Sequence, residues 1–133
     1  MLLILSLMAI PISLADIKSF KIPNVYLRLL TVGLAPFIAV NGLGAISHLV
    51  ISFLLVITLH LCGMGMGDAK LLLLIVLAFN SDQQFSSLIF FSHLLGVATF
   101  YLLVLGLIDQ KVKRKIPLAP SIFVGLALYL ATR

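Results

Sequence analysis

The sequence predicts an all-α protein, a polytopic membrane bundle of about six transmembrane helices. Three observations carry this. The chain is 62% hydrophobic and only 10% charged, with a mean hydropathy of +1.28, whereas soluble domains carry about 25% charged residues. Its apolar residues fall into six long runs separated by short polar turns. Its basic residues gather in alternate turns, the pattern of loops retained on the cytoplasmic side of a membrane. That clustering also argues against nucleic acid as a partner, although the net charge is +5; the expected surroundings are the lipid bilayer. Residues 1–133 are expected to form a single integral-membrane domain.

The first segment, Met1 to Ala15, is uncharged apart from its terminus and contains Pro11. No Lys or Arg precedes the apolar run, so it is read as a retained membrane helix and not as a secretory leader. A polar hinge follows, Asp16-Ile17-Lys18-Ser19-Phe20-Lys21-Ile22-Pro23-Asn24. Pro23 biases Ile22 away from helical geometry and turns the chain. Asn24 is positioned to cap the second segment, which runs from about Val25 to Val40. Asn41-Gly42-Leu43-Gly44 is a turn signal, and the third segment runs from about Ala45 to Leu61.

The fourth segment is expected to begin at Asp68 or just after it, with Asp68 as a candidate N-cap, and to end near Asn80. Those residues would span only ~20 Å as helix, so either the helix continues toward Phe85 or Asp68 lies below the lipid surface in a watered dent, the option that suits a reactive carboxylate. A polar turn, Asn80-Ser81-Asp82-Gln83-Gln84, leads to a fifth segment from about Phe85 to Ile108. A basic loop from Asp109 to Lys115 precedes a sixth segment from about Ile116 to Thr132, whose start Pro117 and Pro120 are expected to set.

With six spans, the basic turns after segments one, three and five share a side, and only Arg133 falls opposite. The positive-inside rule then puts both termini outside and the basic turns in the cytoplasm. Asp16 and Asp68 lie at helix ends on that same cytoplasmic face.

These two acids are the chemically informative residues. The chain has four acidic residues, Asp16, Asp68, Asp82 and Asp109, and no glutamate. An acid among apolar segments is costly and invites a functional explanation. Asp82 is expected on the outer face, and Asp109 is read as a partner of the basic residues beside it. Two carboxylates converging in a low-dielectric site share a proton. One then takes a proton from water while the other gives one to a carbonyl oxygen, which is general acid–base hydrolysis. No nucleophile elbow is present. His48, His60 and His93 stand in separate apolar segments without metal-ligand spacing and, with the four methionines, read as packing residues. The lone Cys62 excludes an internal disulfide and a cysteine-based metal cluster, and is also read as a packing residue. Neither a metal nor a cofactor is expected. Gly63, Gly65 and Gly67 alternate with Met64 and Met66 before Asp68. Their spacing of two suits an extended loop able to pair with a substrate backbone better than a helix-packing stripe. Lys70 is read as an interfacial anchor.

Gly65-Met66-Gly67-Asp68-Ala69-Lys70-Leu71 resembles the Gly-x-Gly-Asp-x-Lys-Leu signature of type IV prepilin peptidases. Asp16, six residues before Ile22-Pro23-Asn24, is similar to that family's Asp-x5-Ile-Pro-Asn hinge, and Ile116-Pro117-Leu118-Ala119-Pro120 to its Ile-Pro-x-Ala-Pro run. The resemblance implies an aspartic endopeptidase that cuts a short basic leader from prepilin or pseudopilin precursors at the cytoplasmic face of the inner membrane, in type IV pilus assembly or protein secretion. It implies Asp16 and Asp68 as the catalytic pair; beside them Gly65, Met66 and Gly67 are expected in the substrate-binding loop, and Pro23 and Asn24 are expected to shape the hinge. Larger members methylate the new terminus and bind zinc through paired Cys-x-x-Cys motifs. With its single cysteine, this chain resembles the short, peptidase-only type.

Two rival readings stand beside this one. Presenilin-type proteases share Gly-x-Gly-Asp but carry their first aspartate after Tyr within a helix, whereas here Ala15 precedes Asp16 at a basic hinge. A non-enzymatic transporter subunit or assembly scaffold would use Asp68 as an ion site. That reading predicts acids near mid-bilayer, not at one face.

Overall fold

The computed structural model describes residues 1–81, 85–108 and 117–132. Asp82, Asp109, the basic stretch from Lys111 to Lys115, Ile116 and Arg133 lie outside the described residues. Six helices follow one another: α1 (Leu2–Ser19), α2 (Asn24–Asn41), α3 (Ile46–Leu61), α4 (Met66–Phe79), α5 (Ser87–Ile108) and α6 (Ala119–Ala131). No strand occurs among the described residues. α1, α2 and α5 are long and apolar enough to cross a membrane, and α3 and α6 are shorter apolar helices. Many large apolar side chains face outward, among them Leu3, Val40, Leu61 and Leu107, as expected where hydrocarbon and not water is the solvent.

The helices pack in a ring that departs from chain order. α1 lies on α2, α2 on α4, α4 on α3, α3 on α5, α5 on α6, and α6 returns to α1. α4 is the most enclosed member: Asp68, Ala69, Leu71, Leu72, Ile75, Val76, Ala78 and Phe79 are all buried. In α1 the buried residues are Leu5, Ile12 and Asp16, spaced seven and four apart, so they lie on one stripe of the helix. Asp16 therefore continues the apolar face of α1 into the bundle.

α1 does not end at Ala15 as expected. It runs four residues further, and Asp16 sits in its last turn. Nothing in Asp16-Ile17-Lys18-Ser19 breaks a helix. The stop comes at Phe20, which takes left-handed geometry (φ 52°) and donates its N–H to the carbonyl of Asp16 at 2.7 Å. Helical placement of the first acid thus does not separate this chain from presenilin-type proteases; the preceding Ala15 does. Pro23, extended at ψ 135°, then occupies the N-cap of α2. Asn24 is the first helical residue, and its side chain makes no capping bond.

α4 also begins earlier than expected. Gly65 is its N-cap, and Met66 and Gly67 are helical. Asp68 is the third residue of the helix and not its cap. Only the stretch from Gly63 (φ 105°) to Gly65 keeps the non-helical character predicted for the glycine run. α5 and α6 start later than expected, at Ser87 and Ala119, with Pro120 in the first turn of α6.

The end of the bundle away from the two acids is closed by aromatic packing. Phe85 lies at the centre, against His48, Phe79, Phe90 and Tyr129, with ring centroids 6.0–6.4 Å apart. The Tyr129 hydroxyl accepts the Ser86 N–H at 3.1 Å. Asn80 is buried there; its amide accepts from Gly44 N–H and donates to the Ala45 carbonyl, both at 3.2 Å. A Cβ on Gly44 would overlap the Asn80 carbonyl oxygen. Gly44→Ala is therefore expected to cost about 1–3 kcal/mol, read as a lower melting temperature of the purified protein.

Candidate active site

Asp16 and Asp68 come together at the other end. Both line one cavity of about 930 Å³. Both are nearly sealed from solvent, at 3% and 7% exposure. Residues far apart in sequence thus meet through the ring packing, although α1 and α4 are not ring neighbours.

Each acid is held differently. The Asp16 carboxyl sits at the start of α6: Ala119 N–H donates to its Oδ2 at 2.9 Å, and the Leu118 N–H is directed at the same carboxyl. The first N–H groups of a helix have no partner within it, and a carboxylate is well suited to accept them. The Ile-Pro-x-Ala-Pro resemblance thereby gains a physical role, since Ala119 supplies the amide that holds Asp16. Among the described residues nothing anchors Asp68 in this way, and its buried Oδ1 has no hydrogen-bond partner.

The alternating glycines explain how α4 reaches the hinge. A Cβ on Gly67 would stand 3.1 Å from the Ile22 Cβ and 3.4 Å from the Ile22 amide nitrogen. α4 therefore seats directly on the hinge that follows Asp16. A Cβ on Gly65 would stand 3.0 Å from Asp68 Oδ2. The spacing of two is thus a packing requirement on both sides: Gly67 admits the hinge and Gly65 leaves room for the carboxylate.

Of the other residues expected at the cleft, Gly65, Met66, Gly67 and Asn24 line the cavity, and Pro23 does not. Pro23 acts one step back, by starting α2. The expectation that Cys62 packs inside fails: it is exposed and borders the cavity. His60 Nδ1 bonds the Met64 carbonyl at 2.8 Å and steadies the loop before α4. Lys70 is exposed and lines the rim.

Sequence reasoning missed two parts of the site. Ser121, in the first turn of α6, is 3% exposed and lines the cavity, and its Oγ has no partner. One wall comes from α5, through Leu94, Leu95, Ala98, Thr99 and Leu102. Ser121 carries no signal in a one-dimensional reading, whereas the spacing of the α5 residues is that of one helical face. Among the described residues, no group of three or more His, Cys, Asp or Glu is placed to hold a metal ion.

Residues 3–101 match the model of the type IV leader peptidase family. The chain belongs to that family. As a leader peptidase it is a membrane protein of peptidase type. The matched span takes in the hinge, both acids and α4, and it ends within α5. α6, which supplies the Ala119 amide for Asp16, lies beyond it. No curated protein and no solved structure matches the chain.

Proposed function

We propose that this leader peptidase is an aspartic endopeptidase that removes the basic leader from type IV prepilin-like precursors at the cytoplasmic face of the inner membrane. The observation that carries the reading is that Asp16 and Asp68, brought from two helices, are buried in the wall of one cavity. A bilayer-embedded chain keeps such acids at the cost of their desolvation, and general acid–base chemistry is a reason to keep them.

In the proposed reaction the pair works with one proton between them. Asp16, which already accepts an N–H from the start of α6, is the base. Asp68, whose buried Oδ1 is unpartnered, is the acid. Water held between them loses a proton to Asp16, and its oxygen bonds to the scissile carbonyl carbon. Asp68 protonates the carbonyl oxygen. Asp16 then returns its proton to the peptide nitrogen while Asp68 takes one from a hydroxyl of the gem-diol, and the C–N bond breaks, leaving a carboxyl and an amine. No covalent intermediate with the protein forms. The non-helical run from Gly63 to Gly65 offers backbone groups beside the acids to a substrate in extended form. The signature residues Pro23 and Asn24 serve by turning the hinge and by bordering the cavity.

The test is co-expression with a prepilin-like precursor in membranes, scored by loss of the leader. Cutting at the leader junction supports the reading, and an uncut precursor beside well-expressed protein removes it. A finer outcome follows from Gly65. Ala fits its backbone (φ −61°, ψ 145°), yet the new methyl would press on Asp68 Oδ2. Gly65→Ala is expected to lower turnover about tenfold through misplacement of the acid, with kcat falling, KM steady and the melting temperature unchanged.

A further inference from the structure

A second cavity borders the acid cavity, with neither acid in its lining, and has a different chemistry. α4 is enclosed around most of its circumference, and Lys70, Leu73, Leu74 and Leu77 form its less buried stripe, at helical spacings of three, four and seven. That stripe floors a groove of about 790 Å³, with walls from α2, including Leu27, Arg28 and Thr31, and from α3, including Phe53. The lining is apolar except at Asn24, Arg28, Thr31 and Lys70. The Thr31 hydroxyl is already engaged with its own helix, donating to the Leu27 carbonyl at 2.8 Å.

The two cations share one end of this groove. Arg28 is the fifth residue of α2 and Lys70 the fifth of α4, and both helices start at the end of the bundle that holds the acids. No carboxylate of a described residue lines the groove. From Lys70 to Leu77 the floor runs ~10 Å along α4 at the helical rise. A doubly cationic head above an apolar slot fits an amphiphile with an anionic head and a hydrocarbon tail. The Arg28 fork is suited to phosphate oxygens, and Lys70 adds a point charge. A zwitterionic headgroup would bring its own cation against these two, so the charge favours a net anionic phospholipid. A partner helix would fill the slot but leave both cations unmatched.

We propose that this groove is a binding site for one anionic phospholipid, its phosphate on Arg28 and Lys70 and an acyl chain laid along Leu27, Leu74 and Leu77. The site adjoins the acid cavity, because Asn24 and Lys70 line both, and Lys70 follows Asp68 by two positions. A bound headgroup therefore places negative charge on the wall shared with the acids. The proposal does not depend on the peptidase reading, and its test reads binding alone.

The experiment is native mass spectrometry of the purified protein with phosphatidylglycerol and phosphatidylcholine of identical chains. The unaltered protein is expected to retain one phosphatidylglycerol, preferred on the order of tenfold as two basic contacts allow. Arg28→Gln with Lys70→Gln should abolish the preference. Thr31→Trp, which fills the slot and leaves the charges, should reduce retention of both lipids, and it decides the matter if the charge variant fails to fold. Lys18→Gln, a cation outside the groove, should change nothing. Several results would overturn the site. They are no preference in the unaltered protein, an equal loss with Lys18→Gln, retention unaffected by Thr31→Trp, displacement by glycerophosphoglycerol alone, or displacement by an apolar helical peptide.

Discussion

Asp68→Asn is expected to abolish leader removal, with turnover falling by about 10²–10⁴-fold, the usual contribution of a positioned acid or base. The substitution is nearly isosteric, and Asp68 Oδ1 has no hydrogen-bond partner to lose. Asparagine also relieves the cavity wall of a buried ionisable group, so the melting temperature should hold or rise. This combination separates chemistry from structure, because a residue that only held the fold would lose activity and stability together. The measurement pairs an initial rate on a basic-leader peptide with a thermal melt of the same preparation. An unchanged rate would show that Asp68 takes no part in the chemistry.

Gly67→Val is expected to cost nearly as much by a different route. The glycine Cα lies against Ile22, and even a single Cβ would stand 3.1 Å from the Ile22 Cβ. Valine adds two methyls to that contact, and being β-branched it has little rotamer freedom with which to avoid it. The hinge must then move off α4, and Asp16, in the last turn before that hinge, moves with it. A displacement of about 1 Å at a catalytic group costs on the order of 10²-fold. Gly67→Ala should fall between the native residue and valine, since a few tenths of an ångström of yielding at Ile22 would accommodate one methyl. Rates for the series Gly, Ala, Val should therefore descend in steps. A flat series would show that the hinge and α4 are not coupled through this contact.

Much of this arrangement is legible in the sequence, and the gaps have physical causes. The six apolar runs are visible because hydrocarbon tolerates few polar residues, so each interruption is a turn. Helix ends are less visible. α1 passes through Asp16, Lys18 and Ser19 because a charged residue does not itself stop a helix, and the actual stop is a left-handed phenylalanine that no residue type announces. α4 starts before Asp68 because Gly65 takes an extended conformation. Asp16 and Asp68 stand out because acids are scarce in this chain. Their partners do not. The amide of Ala119 that binds Asp16 belongs to the backbone and leaves no mark on the sequence, and it comes from 103 positions away. Ser121 is an ordinary helix residue until the ring packing turns it toward the acids. Cys62 is exposed because the turn after α3 carries it to the cavity mouth.

In the proposed reaction Asp16 and Asp68 act as one catalytic unit. Its most direct test is a cycle of Asp16→Asn, Asp68→Asn and the double variant, each purified and assayed on the same basic-leader peptide. Asparagine at 16 can still accept the Ala119 N–H through its side-chain oxygen, so both single changes act on the proton chemistry and not on the anchor. Groups that work as a unit lose their effect together. Each single variant is expected to fall to the same floor, and the double variant to fall no further. Near-normal cutting by either single variant, or losses that multiply in the double, would contradict it.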